Sequence, residues 1–552
     1  MKRLLVGCGL LTFVAASACG EDEKPKDGEV GAGCDPSQAG TCLAELECTP
    51  RGDGFVCTYA AGADCQPTNA DLQNGGCADN AVCTSPGDSG AAAAQCLLRE
   101  GEECDPAGGY CDDELTCADL VSGGHRCFGR VLIKGTVTDS SDNGGIEDAH
   151  VIAQDEEGVA VTDVAESTGD GEYSLEIPVL RDDEGHPVDS TYTLRADAQD
   201  YQPFPSGIRV ALPINASQAE LVGRHYEIEN ALTAISLIPL PSGERQIISG
   251  SVSALSVSDG GTVSQVGGVL VVASGPEGAF TAISDKSGHF TIFNVPDGDY
   301  TVQGYAADIQ LASADVAVSG AAETGVDLVE LAEQTTTVSG TIQLVNAPGG
   351  AQTSVILVVD DTFNETAARG EAPRGLRAPR TGTPDVTGSF EITGVPAGNY
   401  VVLAAYENDD LVRDPDTNIA GTDFVRITVT AGQAELAIAD SFKVTEALSV
   451  QGPGSDEPEA VSEVPTLVWA DDSSEDWYEL RVFDAFGNEA WANETVPSVS
   501  GSGTVSVQYE GPLETGMYYQ FRVKSWRQPG NGAAAPISTT EDLRGVFFKP
   551  AP

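Results

Sequence analysis

The pattern of apolar and polar positions divides the chain into three regimes. A short apolar run occupies Leu4 to Ala16, directly after the basic pair Lys2-Arg3. A polar stretch punctuated by cysteine follows to Cys127. From there to the end, short runs rich in Val, Ile, Leu, Tyr and Thr alternate with turns of Gly, Asp, Asn and Pro. No long stretch repeats its apolar residues with a period of 3.6, so strands and turns are the natural reading of the third regime. The predicted fold class is all-β and multidomain, with small disulfide-rich modules followed by a series of β-sandwiches.

The first run is too short to cross a bilayer, which takes about 20 apolar residues, but it suits the hydrophobic region of an export signal. It ends in Ala16-Ser17-Ala18-Cys19, followed by Gly20. This segment resembles the bacterial lipobox, with Ala16 where Leu is usual. The resemblance implies a signal peptide over 1–18, cleavage before Cys19, and acyl chains on its sulfur and new amino group. Residues 19–33 are charged and Gly-rich and read as a flexible tether. The expected location is the bacterial cell envelope, lipid-anchored at the outer membrane or cell surface.

Fourteen cysteines are present, and twelve remain after Cys8 and Cys19. They form three quartets: Cys34, Cys42, Cys48 and Cys57; Cys65, Cys77, Cys83 and Cys96; Cys104, Cys111, Cys117 and Cys127. The middle pair is always separated by five residues, and each quartet opens on Gly-x-x-Cys, so this is an internal repeat. Units this small lack a sufficient core, and two disulfides each, at about 2–4 kcal/mol apiece, supply the missing stability. Modules are therefore expected over 34–57, 65–96 and 104–127, their pairing left open among three possibilities. A metal centre fits poorly, since no CxxC pair occurs and His125 is the sole nearby histidine. The spacing resembles the four-cysteine, EGF-like stalk modules of bacterial surface proteins.

Beyond Cys127, three segments repeat one order of features. A strand closes on Gly135, Gly250 or Gly340; an apolar strand follows; then a turn Gly followed two places later by an aromatic residue, as Gly171 with Tyr173, Gly288 with Phe290 and Gly388 with Phe390. The turn glycines are expected to take positive φ, and the aromatic rings to face the core. The second and third copies continue through Val295-Pro296-Asp297-Gly298-Asp299-Tyr300 and Val395-Pro396-Ala397-Gly398-Asn399-Tyr400, a hairpin signature. These segments resemble carboxypeptidase regulatory-like domains, which implies transthyretin-like sandwiches over 128–242, 243–333 and 334–447. The first copy departs from the pattern, having Ile177-Pro178 and a longer acidic loop before Tyr192. Residues 448–552 differ. Pro465 to Trp469, Tyr478 to Val482 and Tyr519 to Val523 resemble strands B, C and F of fibronectin type III domains, which implies a core position for Trp469 and inward-facing Tyr478, Leu480 and Val482.

The charge balance is 28 basic against 85 acidic residues, and only eight of the basic ones are Lys. Such a surface repels nucleic acid. The histidines His125, His150, His186, His225 and His289 include no His-x-x-Glu or HExxH arrangement, and they read as isolated surface or turn residues. Gly87-Asp88-Ser89-Gly90 and Arg51-Gly52-Asp53 read as coincidences of composition. The acidic run Glu407 to Asn418 contains Asp414, Asp416 and Asn418 at alternate positions and is the one calcium candidate. No catalytic residue, metal site or cofactor is expected. The expected role is display or adhesion on a lipid anchor, with the membrane and an extracellular protein or polysaccharide as partners. The alternative is a carbohydrate-binding accessory protein using Trp477 and Trp491.

Overall fold

The structure is a computed structural model that describes the chain between residues 29 and 550, apart from internal stretches of which 67–72, 85–93, 346–352 and 407–423 are the longest. Among the described residues the fold is all-β, with three short 3-10 turns and no α-helix. Two compact units result: one holds the cysteine modules together with Arg181–Gly185, the other the remaining residues.

In the first unit each quartet builds one hairpin, Leu46–Arg51 with Gly54–Tyr59, Ala81–Thr84 with Gln95–Leu98, and Leu115–Asp119 with His125–Gly129. The third and fourth cysteines of each quartet face each other across the hairpin, as Cys48 and Cys57 do, yet they do not bond to each other. The first cysteine reaches the third and the second reaches the fourth: Cys34–Cys48 and Cys42–Cys57, Cys65–Cys83 and Cys77–Cys96, Cys104–Cys117 and Cys111–Cys127. Two staples from preceding loops thus pin a two-stranded ribbon that alone is marginal in water. Arg181, almost wholly buried, completes this unit by donating to the Gly129 carbonyl at 2.6 Å.

The second unit opens with three sandwiches of one topology. In each, the first strand lies between the strand after the Gly-aromatic turn and a parallel return strand. Val131–Asp139 pairs with Glu172–Ile177 and, in parallel, with His225–Ile228 and Ile235–Leu237. Gln246–Ser256 pairs with His289–Val295 and Glu323–Val329, and Thr336–Val345 with Ser389–Val395, Glu435–Ala437 and Phe442–Thr445. The second sheets are built on His150–Gln154, Leu270–Gly275 and Thr353–Val359.

Register explains the repeated residues. Gly135 lies opposite Tyr173, Gly250 opposite Phe290 and Gly340 opposite Phe390. A Cβ at Gly135 would fall 2.0 Å from the Thr233 carbonyl oxygen, and one at Gly250 1.8 Å from that of Val326. The return segment passes too close for any side chain, and the aromatic ring takes the space beside it. Of the turn glycines, Gly171 and Gly288 have φ of 81° and 79°. Gly388 is outside the left-handed region, contrary to expectation, and its Cβ direction is open. The hairpin tyrosines close their own turns: Tyr300 donates to the Pro296 carbonyl at 3.0 Å and Tyr400 to that of Pro396 at 2.9 Å. The first sandwich lacks the tight turn, yet Tyr192 makes the same bond to Pro178.

In the fourth sandwich, Val450–Gly452, Thr466–Ala470 and Thr504–Gln508 face a larger sheet centred on Trp477–Asp484 and Tyr518–Arg527. Trp469, Tyr478, Leu480 and Val482 are fully buried in its core, the last three as the alternation predicts. Tyr518 and Val546 pack with Leu212 and Leu232 of the first sandwich. The sandwiches follow one another in sequence, but in space the fourth returns to the first.

Candidate functional site

The apolar strands of the second sheets carry almost no polar alternation, and their surroundings show why. Val269, Val271 and Ala273 fill the core of the second sandwich, while Leu270, Val272 and Tyr305, on the opposite face, join the core of the third. A sheet covered on both faces selects a continuous apolar run. The second and third sandwiches therefore share packing, and their junction with the first is where polar groups converge.

Arg195, on the outward face of Thr191–Asp197, is the centre of that junction. Its side chain is 4% exposed. It lies 3.1 Å from Asp197 Oδ2 and 3.3 Å from Glu371 Oε1, and it donates to Thr281 Oγ1 at 3.2 Å. One guanidinium thus joins all three sandwiches. Burial opposes its charge, but the two carboxylates outweigh that and hold it cationic. Burial raises the Asp197 carboxyl above its usual range, against the attraction of Arg195. His150 packs edge-on against Phe293 at 4.9 Å, and burial lowers its pKa, which favours neutral imidazole. His225 lies 2.6 Å from Glu227. These two histidines are packed and partnered, which corrects their reading as isolated surface residues.

Successive sandwiches are joined in the same way twice. The turn Ala198 to Tyr201 of the first meets Asn294 of the second, whose amide donates to the Ala198 and Tyr201 carbonyls, both at 2.9 Å. The corresponding turn of the second meets the third: Asp308 N–H donates to the Gly394 carbonyl at 2.8 Å, and Arg380 Nη1 lies 2.5 Å from Asp308 Oδ2.

Beside these joints is a cavity of about 540 Å³, with Glu156, Glu157 and Val159 from the first sandwich, Ala307, Asp308 and Ile309 from the second, and Arg374, Gly375, Arg377 and Arg380 from the third. Arg377 donates to Ser354 Oγ at 2.6 Å, and Arg380 to the Thr393 carbonyl at 2.6 Å as well as to Asp308. Arg374 Nε is buried with no hydrogen-bond partner among the described residues. Sequence reasoning passed over this cluster, although Arg374, Arg377 and Arg380 at three-residue intervals in so acidic a chain are a visible signal.

The twelve expected cysteines all form disulfides, which also accounts for the close sulfur groups in the three modules. Cys19, Gly87 to Gly90, Gly52-Asp53 and Glu407 to Asn418 lie outside the described residues. Trp477 is parallel to Trp526, centroids 6.2 Å apart, and Trp526 Nε1 donates to Glu479. Trp491 instead packs edge-on against Tyr509 at the margin of the core, so the two tryptophans expected to act together belong to different clusters.

No protein-family model and no curated protein matches the chain. Among solved structures it is similar to the shaft pilin SpaA from Lactobacillus rhamnosus GG, at 9% identity over 36% of this chain and 96% of that one, with a TM-score of 0.14. The major pilin subunit of Bacillus cereus matches at 10% identity over 56% and 99%, TM-score 0.16. The Bacillus anthracis TIE protein matches at 11% identity over 73% and 67%, TM-score 0.13. Similarities of this size carry no argument about what the chain does.

Proposed function

We propose that the chain is an exported, lipid-anchored envelope protein whose sandwiches form a non-catalytic scaffold for adhesion or structural binding. The observation that supports this most directly is the pairing of twelve cysteines into six disulfides in modules too small to stand without them. Such staples persist in an oxidising compartment, which agrees with an export signal ending at Cys19. The shared packing of three sandwiches around Arg195 suits a part that holds a shape under load. On this reading they are carboxypeptidase regulatory-like domains and the fourth is a fibronectin type III-like domain. The partners are the membrane, through acyl chains on Cys19, and an extracellular protein or polysaccharide.

The test is bacterial expression of the native chain beside Cys19→Ser, with fractionation and intact-mass measurement. The native chain is expected in the membrane fraction with acyl mass on Cys19, and the variant in the soluble extracytoplasmic fraction with its disulfides intact. A native chain with an unmodified amino terminus and free thiols would sink the proposal.

The parallel indoles of Trp477 and Trp526 support a second reading, a carbohydrate-binding accessory protein. Glycan-array binding lost in both Trp477→Ala and Trp526→Ala would favour it, and unchanged binding would remove it.

A further inference from the structure

The larger sheet of the fourth sandwich carries a row of rings on its outer face. At one level across neighbouring strands, Pro497 of Glu489–Pro497 pairs with Trp477 of Trp477–Asp484, and Trp477 with Trp526 of Tyr518–Arg527. Trp526 in turn pairs with Pro536 of Ala535–Thr539. The adjacent residues Tyr478, Val496 and Ser525 are buried, so alternation along the strands turns the row outward. Pro497 is exposed and the other three are half-buried. The indoles are parallel within 3°, yet their centroids are 6.2 Å apart, a slip that leaves most of each face uncovered by the other. Glu479, one row along, holds Trp526 in place: its carboxylate accepts Trp526 Nε1 at 3.1 Å and is itself gripped by Arg481 Nε at 2.5 Å. Proline is at home on an edge strand, where it owes no ladder bond. That accounts for Pro497 and Pro536 singly, but not for their standing level with the tryptophan pair. A contiguous apolar strip on an outer face marks a contact surface.

Neighbouring strands lie about 4.8 Å apart, so the rings make a strip about 14 Å long that repeats at that interval. An extended glycan of equatorially linked pyranoses advances by nearly the same distance per sugar and presents a flat C–H face at each. A polyproline helix returns to the same side only after three residues, about 9 Å, and would meet every second ring. A polyanionic glycan is disfavoured by a chain with 85 acidic and 28 basic residues. We propose that the row binds a neutral, β-1,4-linked, equatorially substituted glycan running across the strands, one sugar to each ring. Trp477 and Trp526 form the central subsites, Pro497 and Pro536 the outer ones, and Glu479 is a positioning residue. The proposal rests on the carbohydrate-binding reading and adds to it the linkage, length and direction of the ligand.

The experiment is calorimetric titration of the full chain with cello-oligosaccharides from dimer to hexamer, beside maltohexaose, an oligogalacturonate and an oligoproline peptide. Affinity is expected to rise with each sugar up to the tetramer and then level off, because the row has four rings. This length series uses the unsubstituted protein and so does not depend on how a variant folds. Trp526→Ala is expected to weaken cellohexaose binding about tenfold or more, and Pro536→Ala about threefold, with melting temperatures unchanged. Binding that needs both tryptophans but levels off at the dimer, or that ignores Pro497→Ala and Pro536→Ala, would overturn the row and leave the accessory reading standing. Binding of no glycan at all would remove both. Tighter binding of maltohexaose, the oligogalacturonate or the oligoproline would overturn the proposal.

Discussion

Asn294 and Gly394 hold the same place in successive hairpins, one residue before Val-Pro, and each receives the turn of the preceding sandwich. Both are left-handed, with φ of 64° and 73°. Asn294 Oδ1 accepts the N–H of Asp200 at 2.6 Å, so its side chain grips the incoming turn. At Gly394 the turn comes closer, and a Cβ there would lie 2.1 Å from Asp308 Oδ1. Asn294→Gly keeps the backbone conformation and removes the grip. It should cost about 1–3 kcal/mol and let the first sandwich melt apart from the second in calorimetry. An unchanged single transition would show that Asn294 does not couple them.

The turn glycines separate by conformation. At Gly288 a Cβ would fall 2.7 Å from the Val252 carbonyl oxygen in a left-handed backbone, whereas Gly388 is neither left-handed nor crowded. Gly288→Ala should lower stability by about 1–2 kcal/mol or more in chemical denaturation, and Gly388→Ala should leave it within about 0.5 kcal/mol. Equal effects would contradict the difference between the two turns.

The pairing of the cysteine modules is directly measurable. Non-reducing peptide mapping should recover Cys34 linked to Cys48 and Cys42 linked to Cys57, with the same order in the other two modules. A link between Cys48 and Cys57, which face each other, would refute it. The double variant Cys34→Ser with Cys48→Ser should lose about 2–4 kcal/mol from its module.

Glu475 makes stability depend on pH. Burial pushes its carboxyl up to about 7, with Asp471 and Asp472 adding to the rise. The folded state therefore holds a proton that the unfolded state releases near pH 4.5, and the fourth sandwich should lose stability as pH rises from there through 7. Water still reaches part of the group and screens the effect, so about 1 kcal/mol is expected. Glu475→Gln should flatten the slope and stabilise the neutral-pH protein, as read from denaturation midpoints across that interval. A slope unaltered in the variant would assign it elsewhere.

Much of the fold was legible because its cues are local. Gly250 and Phe290 lie forty residues apart, but each belongs to a short motif that recurs in the other sandwiches, and the recurrence exposes the topology. Tyr478, Leu480 and Val482 followed from a period of two, whereas the core place of Trp469 came from the resemblance of its strand. The joints between sandwiches were not legible. Arg195 stands in an ordinary strand pattern, and only packing places Thr281 and Glu371 around it. The cavity was hidden for the same reason: Glu156 and Arg374 are more than two hundred residues apart and meet through three domains. His150 looked like a surface residue because sequence cannot show that Phe293 covers it.

The bond from Tyr192 to Pro178 has the same partners as the tight hairpins although thirteen residues, rather than three, lie between them. Closing a longer segment costs free energy that grows only with the logarithm of its length. The tyrosine hydroxyl therefore fixes both stems of the connection, while Arg181 between them is buried and bonded to the Gly129 carbonyl. One clasp thus serves loops of very different size, and in the first sandwich the added length is structural rather than spare.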